Sequence, residues 1–420
     1  MLKFRWETEF KKTEIGEIPK DWEIKKLGEL LRSLESGNRP KGGALAHNPN
    51  GILSIGGENI NWDGSLELTE CLRFDENFYK KLKKGRIEQG DILLVKDGAT
   101  IGKLAYIKEV PEGKAMVNEH VFLLKSNGLK INSRFLFYFL FSEIGQQQIE
   151  NSISGSAQGG INKSIKDNIL VFYPPLPEQS CIATVLSYFD DLIEVKKRQN
   201  EILEKTAMAI FKSWFIDFEL FRACPEQERG NYELVYNEVL GRDIPKGWEM
   251  KKVIDLCYII SGRGKYLIEA SEGIYPLWGA NGVLGYIDNY DLEGFSIITG
   301  RVGTIGKVFL VEGKYAISDN VLCIIPHQGF CVFFLYLWIK SQIDFESLNV
   351  GTSQPLITKT ALGNEPILSP PPHILQSFHS LVEPLFQKII LNQKQIMTLR
   401  KIRDTLLPLL VFGKLRIEEV

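Results

Sequence analysis

The sequence predicts a mixed α/β protein built by internal duplication, in the order domain, long helix, domain, long helix. Two long heptad seams predict the helices. A set of Gly-rich turn motifs that returns about 200 residues later predicts two similar domains, each large enough for its own core. On this reading the first domain spans residues 1–173, the first helix 174–221, the second domain 222–369 and the second helix 370–420.

The helices come first because they organise the rest. In the first, apolar side chains fall at 4-then-3 spacing: Ile182, Leu186, Phe189 and Ile193, then Leu203, Ala207, Ile210 and Trp214. Lys196 and Asn200 interrupt the seam. At 1.5 Å per residue, ~40 helical residues make a rod of roughly 60 Å, and a stripe that long needs a partner. A shift of 196 residues (182 to 378) finds one: Phe378, Val382, Leu385, Ile389, Leu399, Leu406 and Leu410, with Asn392 and Arg403 as the polar interruptions. Both helices follow prolines, at Pro174, Pro175 and Pro177 and at Pro370 to Pro372. Pro384 and Pro408 predict a kink or a late start in the second.

The totals bound the class. A chain of 420 residues exceeds one typical core. Its 44% hydrophobic and 24% charged residues are ordinary for a soluble globular protein. The longest apolar run, Phe330 to Ile339, suits a buried helix and not a membrane span. The opening MLKFRWETEFKK lacks the apolar core of a signal peptide, which predicts a cytoplasmic protein. The six cysteines form no C-x-x-C pair and read as reduced, half-buried thiols. Net charge is −2, which counts against a chain that holds DNA unaided, although it does not say where the charges lie.

In chain order, G-E-I-P-K-D-W at 16–22 returns as R-D-I-P-K-G-W at 242–248, a Pro turn followed by a structural Trp22 or Trp248. Turn-rich, strand-like sequence follows at 31–95 and 257–298, with the same frame and different loops. ILLVKDGATIGKLAYI (92–107) parallels IITGRVGTIGKVFLV (297–311), each a strand, a T-I-G-K turn and a second strand. E-G-K follows at 112–114 and at 312–314 and reads as a hairpin turn. An apolar helical stretch comes next in each half, then GSAQGGINKS (155–164) or GTSQPLITKT (351–360).

No catalytic chemistry is legible. The T-I-G-K turns fail as phosphate-binding P-loops, because the glycine spacing is wrong and Leu104 and Val308 stand where a metal-binding hydroxyl is required. No amide-clamping tetrapeptide of an amino-methyltransferase, no nuclease carboxylate set and no nucleophilic triad is present. What recurs is polar, forked or cationic side chains in the Gly-rich turns. The first half offers Arg39, Lys41, Lys96, Thr100, Lys103, Gln158, Asn162 and Lys163; the second offers Arg263, Lys265, Arg301, Thr304, Lys307, Gln354 and Lys359. Arg, Asn and Gln can make paired hydrogen bonds to base edges, while Lys and Thr suit phosphates. A solvated surface offers the same residue types. Recurrence favours the T-I-G-K and S-x-Q turns as a binding face, and a purely structural turn would recur in the same way.

The G-E-I-P-K-D-W opening, the G-T-I-G-K turn, the G-S-x-Q…I-x-K segment and P-P-L-P-E-Q before a long helix, most of them occurring twice, resemble the specificity subunits of type I restriction–modification systems. The resemblance covers nearly the whole chain and lies in the order, duplication and spacing of the motifs. It implies two target-recognition domains of mixed α/β fold, related by pseudo-two-fold symmetry, each reading half of a bipartite, asymmetric site in double-stranded DNA. The long helices would pair as an antiparallel coiled coil that sets the spacing, with half-sites roughly 34–36 Å apart. They would also scaffold two DNA adenine-methyltransferase subunits, which ATP-dependent restriction subunits join in a host-defence complex. The chain itself would be non-catalytic, with S-adenosylmethionine, ATP and Mg²⁺ on its partners and DNA binding by the lone chain weak. The alternative is a bivalent coiled-coil adaptor whose domains bind protein or glycan.

Overall fold

The computed structural model describes residues 2–43, 47–154, 159–219, 233–262 and 273–419. The chain divides into two compact units, Met1–Glu194 with Ile396–Val420, and Val195–Gln395. Each unit therefore combines one domain with half of each long helix, Leu176–Phe215 and Pro372–Val411.

In the N-terminal unit a hairpin, Phe10–Thr13 with Gly16–Pro19, leads into strand Glu23–Lys26, which pairs with Leu170–Tyr173 from the far end of the domain. Between them lies an antiparallel sheet in the order Leu31–Ser36, Val121–Ser126, Ile92–Val95, Leu104–Tyr106. A second sheet places Ile52–Ile55 between Ala115–Val117, which runs parallel to it, and Arg73–Phe74. Successive strand residues point to opposite faces, so Ile92 and Leu94 join one core while Leu93 and Val95 join another. The first core takes in the apolar helix Ser133–Phe141, started by Asn132, whose side chain accepts from the backbone N–H groups of Arg134 and Phe135. The second lies against the smaller sheet.

The second unit repeats this order. Leu234–Asn237 pairs with Arg242–Pro245, and Glu249–Lys252 with Pro366–Ser369. The main sheet runs Cys257–Ser261, Val321–Pro326, Ser296–Gly300, Val308–Val311. In the smaller sheet Tyr275–Gly279 again pairs in parallel, with Lys314–Ile317. Ile297 and Ile298 again divide between two cores, and helix Val332–Gln342 fills the larger one.

In each unit a tyrosine of the apolar domain helix donates to a carboxylate of the first long helix. Tyr138 donates to Asp190 of the first long helix at 2.5 Å, and Arg403 of the second holds the other oxygen of that carboxylate at 2.6 Å. In the second unit Tyr336 donates to Glu204, which Lys340 also reaches at 2.6 Å. The helix halves run antiparallel in each unit. Lys196 bonds Gln395 at 2.6 Å, Asn200 accepts from Asn392 at 2.9 Å, and Phe215 packs on Phe378 with ring centroids 4.9 Å apart. In the N-terminal unit Ile182, Leu186, Leu407 and Leu410 share one core.

Three expectations need correction. The second helix is a single element from Pro372 through Pro384 and Pro408, so it does not start late. Its seam is also displaced by one residue in places: Leu385, Ile389, Leu399 and Leu406 are only partly buried, while Phe386, Ile390 and Leu407 are almost wholly buried. The helix serves two neighbours at once. Phe386 stacks on Phe333 of the domain helix, centroids 4.6 Å apart and 2° between planes, which draws the buried arc off the heptad line. Phe189, Leu203 and Ile210 are likewise partly buried beside the buried Ile193, Ala207 and Phe211. The E-G-K segments are corners between sheets, not hairpins, because the strands before and after each pair with different partners. Glu112 there holds Arg73 with two contacts of 2.7 Å.

Candidate nucleic-acid interface

The candidate residues lie on loops that the fold brings together twice, by the same backbone bonds. In the N-terminal unit the Lys96 N–H donates to the His120 carbonyl at 3.0 Å, and the Lys96 carbonyl accepts from Ile161 N–H at 2.7 Å. In the second unit the Arg301 N–H donates to Asn320 at 2.8 Å, and the Arg301 carbonyl accepts from Ile357 at 2.8 Å. The T-I-G-K turn, the loop after the E-G-K corner and the I-N-K or I-T-K segment are thus tied into one cluster. Single bridges, Asp97 with Gly160 and Val302 with Leu356, extend each tie.

A further loop enters each cluster at a glycine. A Cβ on Gly37 would lie 1.9 Å from the Val117 carbonyl oxygen, and one on Gly262 would lie 2.3 Å from that of Ser318. No other residue fits that approach, so the S-G step is fixed in both copies. The loop after the central strand of the smaller sheet also reaches the turn. Gly57 packs beside Thr100, and Asn281 donates to the Thr304 hydroxyl at 3.0 Å.

The two frames carry different side chains. In the first, a chain of polar contacts links three loops: Arg39 to Glu119 at 3.4 Å, His120 between Glu119 (3.6 Å) and Asp97, and Lys96 to Asp97 at 2.7 Å. Burial opposes charge on Asp97, but the Lys96 ammonium and the His120 ring more than offset it and hold the carboxyl below its usual range. Lys103 stands 5.9 Å from the ring of Trp62, which is 60% exposed. Lys41, Asn162 and Lys163 are exposed, and the Asn162 side chain caps its own turn by accepting from Ser164 N–H. In the second unit Lys307, Gln354 and Lys359 are exposed, with Gln354 beside Gly303. The Nε of Arg301 is shut from solvent with no hydrogen-bond partner among the described residues, at a cost of about 1–3 kcal/mol. Gln158, Arg263 and Lys265 lie outside the described residues.

The T-I-G-K turn joins two antiparallel strands, as Val95 N–H to the Lys103 carbonyl at 2.9 Å shows, and so is not the strand-to-helix cradle of a phosphate loop. Among the described residues no group of three His, Cys, Asp or Glu side chains is placed to hold a metal ion. The five described cysteines are free and buried, and burial pushes the Cys257 thiol up to about 12. No helix among the described residues is long and apolar enough to cross a membrane.

The family described as the type I restriction modification DNA specificity domain matches residues 19–205 and again 245–401. The chain belongs to that family. Over 456 aligned residues it is 35% identical to the MjaIX type I restriction enzyme specificity subunit of Methanocaldococcus jannaschii, with 100% of this chain and 99% of that protein covered. A putative MjaX type I restriction enzyme specificity subunit of the same organism is 27% identical over 446 residues, covering 100% of this chain and 99% of that protein. The crystal structure of a type I restriction–modification S subunit from M. genitalium covers 93% of the chain with a TM-score of 0.54 at 18% identity, which shows a shared fold. The duplicated match agrees with the duplicated loop cluster.

Several residues of the cluster were not legible in the sequence. Asp97, Glu119 and His120 lie in or beside the repeated segments, but Asp97 and His120 are not repeated as residue types, and Asn281 and Trp62 stand in no repeated motif. The only hint was position, since His120 and Asn320 follow the E-G-K corners by the same interval.

Proposed function

We propose that each loop cluster reads one half of a bipartite DNA site, and that the chain is the non-catalytic specificity subunit of a type I restriction–modification complex. One observation carries this reading: the same backbone frame recurs in both units with different side chains. A shared frame presents each cluster to the duplex in the same manner. The exchange of Lys96, Asp97 and His120 for Arg301, Val302 and Asn320 alters what is read. Arg and Asn can form paired hydrogen bonds with guanine and adenine edges, while Lys103, Lys163, Lys307 and Lys359 suit phosphates.

The long helices would scaffold two adenine-methyltransferase subunits, joined by ATP-dependent restriction subunits. S-adenosylmethionine, ATP and Mg²⁺ would then reside on those partners, in the cytoplasm with the DNA. The family match supports a DNA-specificity role, and the partner set follows from how such a subunit is put to use.

A segment exchange tests the division of labour. Replacing residues 233–369 with the matching segment of a relative should change one half of the methylated motif and leave the other intact. A change in both halves would contradict independent reading.

A further inference from the structure

Residues 80–86 read K-K-L-K-K-G-R, and the second unit has nothing like them: residues 280–295, between strands Tyr275–Gly279 and Ser296–Gly300, contain no Lys or Arg. The run is not a loose, solvated loop. Helix Glu76–Lys81 leads into it, with Lys80 and Lys81 in the last turn where cations suit the helix dipole. Leu82 is 8% exposed and packs with Phe74 and Met116 in a small apolar cluster of its own.

The backbone around the run is pinned on both sides. Arg86 turns back to donate to the carbonyls of Tyr79 and Lys80 at 3.2 and 2.7 Å, with its guanidinium 5.0 Å from the Tyr79 ring. Gly85 N–H donates to Glu35 at 2.8 Å, and the Gly85 carbonyl accepts from Val117 N–H at 3.0 Å. Glu35 and Val117 flank the close approach made by Gly37, and a Cβ on Gly85 would lie 3.0 Å from the Gly37 Cα. The lysine loop is therefore held against the candidate interface of the N-terminal unit.

The charges on it are left unanswered. Lys80 has Glu76 at 3.6 Å. Lys81, Lys83 and Lys84 are exposed and pair with no carboxylate among the described residues. Like charges fixed side by side repel each other in the free protein. A rigid cationic ridge beside a DNA-reading cluster is the arrangement that releases counterions from a polyanion. We propose that the Lys81–Lys84 ridge grips the sugar–phosphate backbone flanking the half-site read by the N-terminal unit, and that the other half-site lacks an equivalent grip. The proposal rests on the reading that the chain binds duplex DNA.

The test uses the chain in complex with its methyltransferase partner and a triple variant, Lys81→Ala, Lys83→Ala and Lys84→Ala. Dissociation constants are measured across salt concentrations on a duplex bearing the methylated motif and on a scrambled duplex. Each phosphate contact contributes about 0.9 to the slope of log affinity against log salt. The variant slope should be shallower by roughly 1–3 on both duplexes, with the motif unchanged and the triple Lys→Arg variant like wild type. Unchanged slopes would overturn the proposal. So would intact DNA binding with lost association between subunits, which would assign the ridge to an acidic protein surface. Failure of the wild-type complex to bind duplex at all would defeat the DNA reading itself.

Discussion

At the scale of single residues, Arg416 shows how much one side chain can tie together. It contacts Glu7 at 2.7 Å, Asp21 at 3.0 and 2.9 Å and Glu178, and its guanidinium lies 5.5 Å from the ring of Trp22. Trp22 in turn donates to Glu178 at 3.0 Å. These contacts join the opening strand Leu2–Trp6, its partner Leu415–Glu419, the I-P-K-D-W turn and the start of the first long helix. The N–H of Glu9, ahead of the opposing effect of burial and aided by Thr8 N–H and Arg416, lowers the Glu7 carboxyl from 4.5 to about 2. A depressed acid contributes stability above its ordinary pKa and loses it as pH falls through the folded value, here between 4.5 and about 2. Arg416→Ala should destabilise the N-terminal unit by about 3–5 kcal/mol at neutral pH, because it leaves buried carboxylates unpaired. It should also flatten the acid limb of the stability curve. Denaturant titrations from pH 7 downward check both, and a curve like wild type would contradict the account. The sequence exposed Trp22 through its repeat at Trp248, but not the cluster, whose members are up to 409 residues apart.

At the scale of elements, one polar interruption of each seam meets the other: Asn200 and Asn392. Asn392 is fully buried and donates to Asn200 at 2.9 Å and to Gln199 at 3.3 Å, and Lys196 reaches Gln395. A buried polar pair in a coiled coil fixes register at a cost in stability. Asn392→Ala alone should destabilise the second unit by about 1–3 kcal/mol, since Asn200 loses its partner. Replacing both Asn200 and Asn392 by Leu should recover most of that loss. A double-mutant cycle measures the coupling, and strictly additive losses would argue against a specific pair. The helices, the strands around T-I-G-K and the apolar helices were all legible, because each is written in local periodicity. The one-residue displacement of the seam at Phe386, Ile390 and Leu407 was not. It follows from a second neighbour, the domain helix, that a two-helix pattern does not contain. The E-G-K corners misled for a related reason: local turn chemistry does not say which strands will pair.

At the scale of the whole molecule, the duplication was legible because its motifs keep their order, and the loop clusters were not because they are made by contacts across the sheet. Gly37 and Gly262 stand in unremarkable S-G steps until Val117 and Ser318 are brought against them. The reading of domain, helix, domain, helix in chain order also differs from the compact units, which each take half of both helices, since a helix packs on whatever lies beside it along its length. On the proposed function, two such clusters read two different half-sites. The most direct measurement is to co-express the chain with the adenine methyltransferase proposed as its partner in an unmethylated host and map every modified adenine. The expected result is one asymmetric motif in two parts separated by a fixed, unspecified gap. A single contiguous motif, or none from a soluble and assembled complex, would contradict it.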